Sequence, residues 1–170
     1  GTVIMDDIKI NLNSTGHSVE LDEVDGFVHG LDMNGDNGGL LWDASGQETS
    51  YLENSVIRGN TASCFDMVDH SELLVHNVAL VCDPSAPAST SSSFVNFTSS
   101  WFTSGFADSF EMLGDSHLRW ISSDDIDTPT YTGQDNILDV MWSVEIHAVN
   151  QHLLHIPHAE FNLTFDLYEN

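Results

Sequence analysis

Cationic side chains are almost missing from this chain: Lys9, Arg58 and Arg119 stand alone against 27 Asp and Glu, for a formal net charge of −24. So negative a surface repels phosphate backbones and has almost nothing with which to release counterions, which excludes nucleic acid as a partner. The same scarcity disfavours polysaccharide lyase chemistry, which needs a cationic base and positive groups to stabilise an enolate. No stretch approaches the roughly 20 apolar residues of a membrane span, and no charged-then-apolar signal segment opens the chain. Nucleophile elbow, phosphate loop and dinucleotide fingerprint are all absent. Asp69-His70-Ser71 contains the residue types of a hydrolase triad, but consecutive residues cannot converge on one point, so it reads as a polar corner. Glycoside hydrolysis needs two carboxylates at a set separation, and Asp66, Asp69, Asp108, Asp115 and Asp139 single out no pair. The chain is therefore expected not to be an enzyme.

What is present is a repeat. Phe65 leads to Leu73 and Asn77, Phe110 to Leu118 and Ser122, and Leu138 to Ile146 and Asn150, each with offsets of eight and four; Phe94 leads to Phe102, and Leu41 to Leu52 and Asn54 across a longer turn. Copies start at Leu41, Phe65, Phe94, Phe110, Leu138 and Phe161, with a spacing centred in the twenties. Repeats of this size are stacked supersecondary units. Within them, Phe65-Asp66-Met67, Leu73-Leu74-Val75, Phe110-Glu111-Met112 and Leu118-Arg119-Trp120 alternate in the two-residue period of a half-buried strand.

Short strands at polar corners, with no Asn-Gly or Asp-Gly pair at the regular connections, predict an all-β fold: a short right-handed parallel β-helix with loop excursions. A two-sheet jelly roll, with antiparallel pairing, is the alternative. By length the 170 residues form one domain. Residues 1–16 read as an opening strand, 17–155 as coils, and 156–170 as a terminal strand. Asn54, Asn77 and Asn150 are expected to stack as a ladder at one corner, because Asn tolerates left-handed backbone. Residues 83–93, rich in Pro, Ser and Ala, and 122–136 should leave the stack as loops. Phe161, Leu163, Phe165 and Leu167 alternate and are read as an assembly strand covering the end of the solenoid.

Metal ligation has two candidates. Counting Asp32 as the first position, oxygen-bearing side chains fall at one, three, five and twelve, Asp32, Asn34, Asp36 and Asp43, the spacing of a loop for calcium or another hard cation. Asn37 stands where the sharp-turn Gly belongs and Asp43 where a bidentate Glu is usual, so a Gly/Asn/Asp-rich turn is the plain alternative. His147, His152, His155 and His158 crowd into twelve residues, but residues three apart on a strand face opposite sides. Cys64 and Cys82 lie 18 residues apart, less than one coil, so they need not be adjacent and are read as buried free thiols, with a disulfide as the alternative.

The run from Ser63 to Leu80, its copy from Asp108 to Trp120 and the opening segment Gly26 to Leu31 resemble the coils of viral and phage structural β-helix proteins of the pectin-lyase-like class. The resemblance implies a virion component in a capsid, spike, fibre or tail. It would work by assembly or host adhesion, as a trimer or other ring, with other virion proteins or a host glycan or glycoprotein as partners. The Asp-rich, Lys-poor composition resembles that of haloarchaeal proteins and their viruses, for which high salt screens self-repulsion. A secreted carbohydrate-active or carbohydrate-binding β-helix module is the alternative.

Overall fold

The computed structural model describes residues 1–12, 19–35, 39–59, 64–82, 88–102, 110–122, 130–133 and 135–141. Every regular element among them is a strand. The first coil holds β1 (Thr2–Asp6), β2 (Lys9–Leu12) and β3 (Val19–Leu21), and the second β4 (Asp25–His29), β5 (Asp32–Gly35) and β6 (Leu40–Asp43). The third holds β7 (Thr49–Glu53), β8 (Val56–Gly59) and β9 (Phe65–Val68), and the fourth β10 (Glu72–His76), β11 (Ala79–Cys82) and β12 (Ala88–Ser91). The fifth holds β13 (Phe94–Thr98), β14 (Trp101–Phe102) and β15 (Phe110–Leu113); β16 (His117–Ile121), β17 (Thr130–Thr132) and β18 (Ile137–Met141) follow.

These strands sort into three sheets. Sheet A runs β1-β4-β7-β10-β13-β16-β18, sheet B β2-β5-β8-β11-β14 and sheet C β3-β6-β9-β12-β15-β17. Every strand pairing among the described residues is parallel, with coil-to-coil offsets from 19 residues (Glu111 to Thr130) to 25 (Leu40 to Phe65). The fold is thus a short parallel β-helix, and the antiparallel jelly roll is excluded.

The register corrects several sequence expectations. Phe65 and Phe110 do lie in sheet C, each followed by a sheet A residue, Leu73 and Leu118. Phe94, however, is in sheet A, and Leu138 pairs with Leu118 there, so neither starts a copy in phase with Phe65. This removes the reason for placing Asn150 in the ladder; Asn150 itself lies outside the described residues. The chain enters its first coil at Thr2, since β1 and β2 already pair with β4 and β5. Residues 88–91, expected in a loop, form β12 inside the stack, pairing with β9 and β15. Small residues suit that place: Ala88 sits between Phe65 and Phe110, two large rings that already fill the core.

The interior is packed with one residue of each in-facing pair from all three sheets, among them Val28, Leu52, Val75 and Phe97 from sheet A, Met33, Ile57 and Leu80 from sheet B, and Trp42, Met67 and Met112 from sheet C, all fully buried. In the upper coils rings meet across the core: Phe97 lies 4.6 Å from Trp120 and 6.3 Å, edge-on, from Phe110. Contacts of this kind add about 1 kcal/mol to area burial.

The corners explain why the polar residues are where they are. At the turn that follows a sheet A strand, Asp7, Gly30, Asn54, Asn77, Ser99 and Ser122 all have positive φ. Each donates its N–H to a carbonyl of the next coil, as Asn54 does to His76 and Asn77 to Thr98. One residue on, Leu31 and Val78 donate their N–H groups to Ser55 and Ser100 Oγ at 3.0 and 3.1 Å. Backbone donors buried at a turn, which are costly to leave unpaired, are in this way satisfied by a serine one coil higher.

The two cysteines are bonded, correcting the free-thiol reading: Cys64 and Cys82 form a disulfide with Cα atoms 5.4 Å apart. Cys64 enters sheet C just after a corner, and Cys82 leaves sheet B just before the same corner one coil on. Their separation falls short of a full coil by the length of that corner, which is why the two meet.

Candidate functional sites

Predicted and unpredicted constellations sit at corners and on the outer faces of sheets A and B. The Asn ladder is real between Asn54 and Asn77: Asn77 Nδ2 donates to Asn54 Oδ1 at 2.6 Å. It continues downward through residues the repeat did not point to. Asn54 Nδ2 lies 2.9 Å from His29 Nε2, and His29 Nδ1 lies 2.9 Å from Asp6 Oδ1 and 3.9 Å from Asp7 Oδ1. His29 also stacks flat on Phe27, with ring centroids 6.1 Å apart and an interplanar angle of 3°. Sequence inspection missed His29 because it is a lone histidine 22 or more residues from its partners; the coil offset, Asp6 opposite His29, is the signal that finds it.

The calcium-loop spacing is not realised as a loop. Asp32 and Asn34 lie on β5 in sheet B and Asp43 ends β6 in sheet C, so extended strands on two faces replace a chain folded around one ion; Asp36 lies outside the described residues. Asp32 is already engaged, by Arg58 at 2.6 Å and Lys9 at 3.2 Å. The hydrogen bond from Arg58, then that from Lys9, holds its carboxyl below the usual range. In the upper coils His117 and then Arg119 do the same to Asp139, at 2.8 and 3.4 Å, and the Arg119 guanidinium lies 4.9 Å from the Phe94 ring centre. All three Lys and Arg of the chain thus link neighbouring coils.

A second site is a cleft of about 410 Å³ lined by Gly1, Glu23, Asp43, Ala44, Ser45 and Asp69. Burial first, and then Asp69, Asp22 and Glu23, push the Asp43 carboxyl up. Behind it, Ser45 Oγ donates to the buried Asp25 carboxylate. Nearby His70 is 2 % exposed, with Nε2 at 3.1 Å from the Trp42 carbonyl and its ring edge-on to Trp42. Burial lowers His70 to about 4, against the opposing pull of the Trp42 carbonyl, Asp25 and Asp69, so the ring is neutral near pH 7. Asp25 Oδ1 and His70 Nδ1 have no hydrogen-bond partner among the described residues. The cleft attracts cations and repels anions.

On the outer face of sheet A, Ile4, Phe27, Tyr51 and Leu74 stand in register on four successive coils. Ile4 is 76 % exposed, Phe27 36 % and Tyr51 37 %, with the two rings 6.2 Å apart. The expected assembly residues Phe161, Leu163, Phe165 and Leu167, and the histidines from His147 to His158, lie outside the described residues. Compared with protein-family models, with curated proteins and with solved structures, the chain matches none.

Proposed function

We propose that this chain is a non-enzymatic structural component of a virus particle, part of a capsid surface, spike, fibre or tail, that acts by self-assembly or host adhesion in a salty medium. The observation that carries the reading is the in-register apolar stripe Ile4–Phe27–Tyr51–Leu74 on a solenoid whose interior is filled by its own side chains. A face of that kind marks an interaction surface, and its occupant on this reading is a second copy, in a trimer or other ring. The disulfide supports an oxidising, extracellular setting, and the charge of −24 supports high salt, which screens it within roughly 3 Å at molar strength.

The second reading, a secreted carbohydrate-binding module, is favoured by the exposed Phe27 and Tyr51 rings, tilted against each other beside polar Thr49 and Glu72, which hydrogen-bond to each other at 3.2 Å. Light scattering in molar salt tests the assembly reading: the wild type forms a defined oligomer, and Phe27→Ser with Tyr51→Ser abolishes it. A strictly monomeric wild type refutes self-assembly, polysaccharide binding lost in the same double variant favours the second reading, and polysaccharide turnover abolished by a single Asp substitution refutes a structural role.

A further inference from the structure

Asp6, Asp7 and His29 present three ligand atoms within 4.8 Å of one another. We propose that they form a binding site for a borderline divalent transition-metal ion of the zinc class. The centre of the group is an imidazole, which suits zinc, copper or nickel, whereas calcium takes six to eight oxygens and gains little from a ring nitrogen. This inference is independent of the proposed function.

Three features aim the ring. Phe27 stacks on its face, Asn54 meets Nε2, and Nδ1 is left pointing at both carboxylates, 2.9 Å from Asp6 and 3.9 Å from Asp7. Gly30 makes room for the second carboxylate: a Cβ there would lie 2.3 Å from Asp7 Oδ1. The sequence places glycine where the corner needs positive φ, +65° at Gly30, and the same missing side chain lets Asp7 fold toward His29.

The amides beyond the ring fit both states of such a site. In the ion-free arrangement Asn77 donates to Asn54, Asn54 Nδ2 donates to Nε2, and Nδ1–H therefore donates to Asp6. Turning both amides over reverses the chain without moving a heavy-atom position: Nε2–H donates to Asn54 Oδ1, and Asn54 Nδ2 donates to Asn77 Oδ1. Nδ1 then carries a lone pair between two carboxylates. Ion binding replaces the Nδ1 proton, the proton returns to Nε2, and the imidazole stays neutral. Metal-bound histidines ordinarily donate their second ring N–H to a fixed acceptor, and Asn54 is placed to be one. Three protein ligands on an exposed corner leave the remaining coordination positions to water.

The test is a zinc chloride titration of the whole chain in molar sodium chloride with excess magnesium, which suppresses diffuse binding to the acidic surface. Calorimetry gives the stoichiometry and nitrogen-15 shifts of His29 give its tautomer. One equivalent is expected to bind as His29 switches from the Nδ1–H to the Nε2–H form. His29→Phe, which keeps a ring to stack on Phe27, should abolish the event, and Asp7→Asn should weaken it. Asn54→Gly, which tolerates the left-handed backbone, should cost about tenfold in affinity. Circular dichroism and thermal melting of each variant separate lost binding from lost folding. Absence of saturable zinc binding, equal affinity in folded His29→Phe, or saturation without a tautomer change at His29 each overturns the proposal.

Discussion

Acidification should destabilise this fold through one buried ring, and the size of the effect can be worked out. His70 is lowered from an ordinary 6.5 to about 4 because it is enclosed against Trp42. Its folded value lies below its unfolded value, so the stability it contributes is whole above about pH 6.5 and is lost as the pH falls toward 4, where the unfolded chain binds a proton that the folded chain refuses. Each pH unit between the two values is worth about 1.4 kcal/mol, giving about 3 kcal/mol across the window. Asp25 and Asp69, the charged groups that face the ring, act in the opposite sense and are already included in that value. Other titrations overlap, including relief of repulsion among 27 acidic residues, so the wild type alone is ambiguous. The variant His70→Gln retains an amide able to donate to the Trp42 carbonyl and does not titrate. Denaturant unfolding of both proteins between about pH 7 and about pH 4 should show the wild type losing about 3 kcal/mol relative to the variant. A difference that stays flat, or His70 ring-proton resonances that titrate near 6.5, would refute the argument.

Three further outcomes follow from backbone and covalent geometry. At Asn77, where φ is +53°, Ala should cost about 1–2 kcal/mol in left-handed strain on top of the lost amide bond to Asn54, while Gly should cost only the bond, about 1 kcal/mol or less; equal losses in denaturant unfolding contradict this. Gly39→Ala would put a Cβ 1.6 Å from the Cys64 carbonyl oxygen, backbone against backbone between coils, and should lower stability by about 3 kcal/mol or more; an unchanged melting temperature contradicts it. Reduction of Cys64–Cys82, a bridge across 18 residues, should cost about 3 kcal/mol, or roughly 6–12 °C in melting temperature by calorimetry with and without reductant.

Much of the architecture was legible because strand alternation and corner chemistry are local. Phe65-Asp66-Met67 and Leu118-Arg119-Trp120 alternate as a half-buried strand must, and Asn54 and Asn77 occupy corners that require positive φ. The phase of the repeat was less legible, because an apolar side chain does not report which way it points. Phe94 faces outward and is covered by His117 and Arg119, while Ala88 and Thr90 face the core. Counting large apolar residues therefore shifted two copies out of phase and turned a buried Ser/Ala strand into a loop. The His29 group was hidden for a different reason. Its members meet only when the coil offset is known, and Asp6, Asp7 and His29 carry no spacing that a linear motif would show. The cysteines were misread for the same reason, since two residues less than a coil apart are neighbours when a corner lies between them.

The Cys64–Cys82 bond joins the third coil to the fourth, near the middle of a stack in which each coil rests only on the ones above and below. Peeling from either end can run coil by coil until it reaches this covalent rung, where the bond opposes further separation. The molecule is consequently two short stacks growing from one fastened pair, and protection of backbone amides from exchange should decline outward from that pair in both directions.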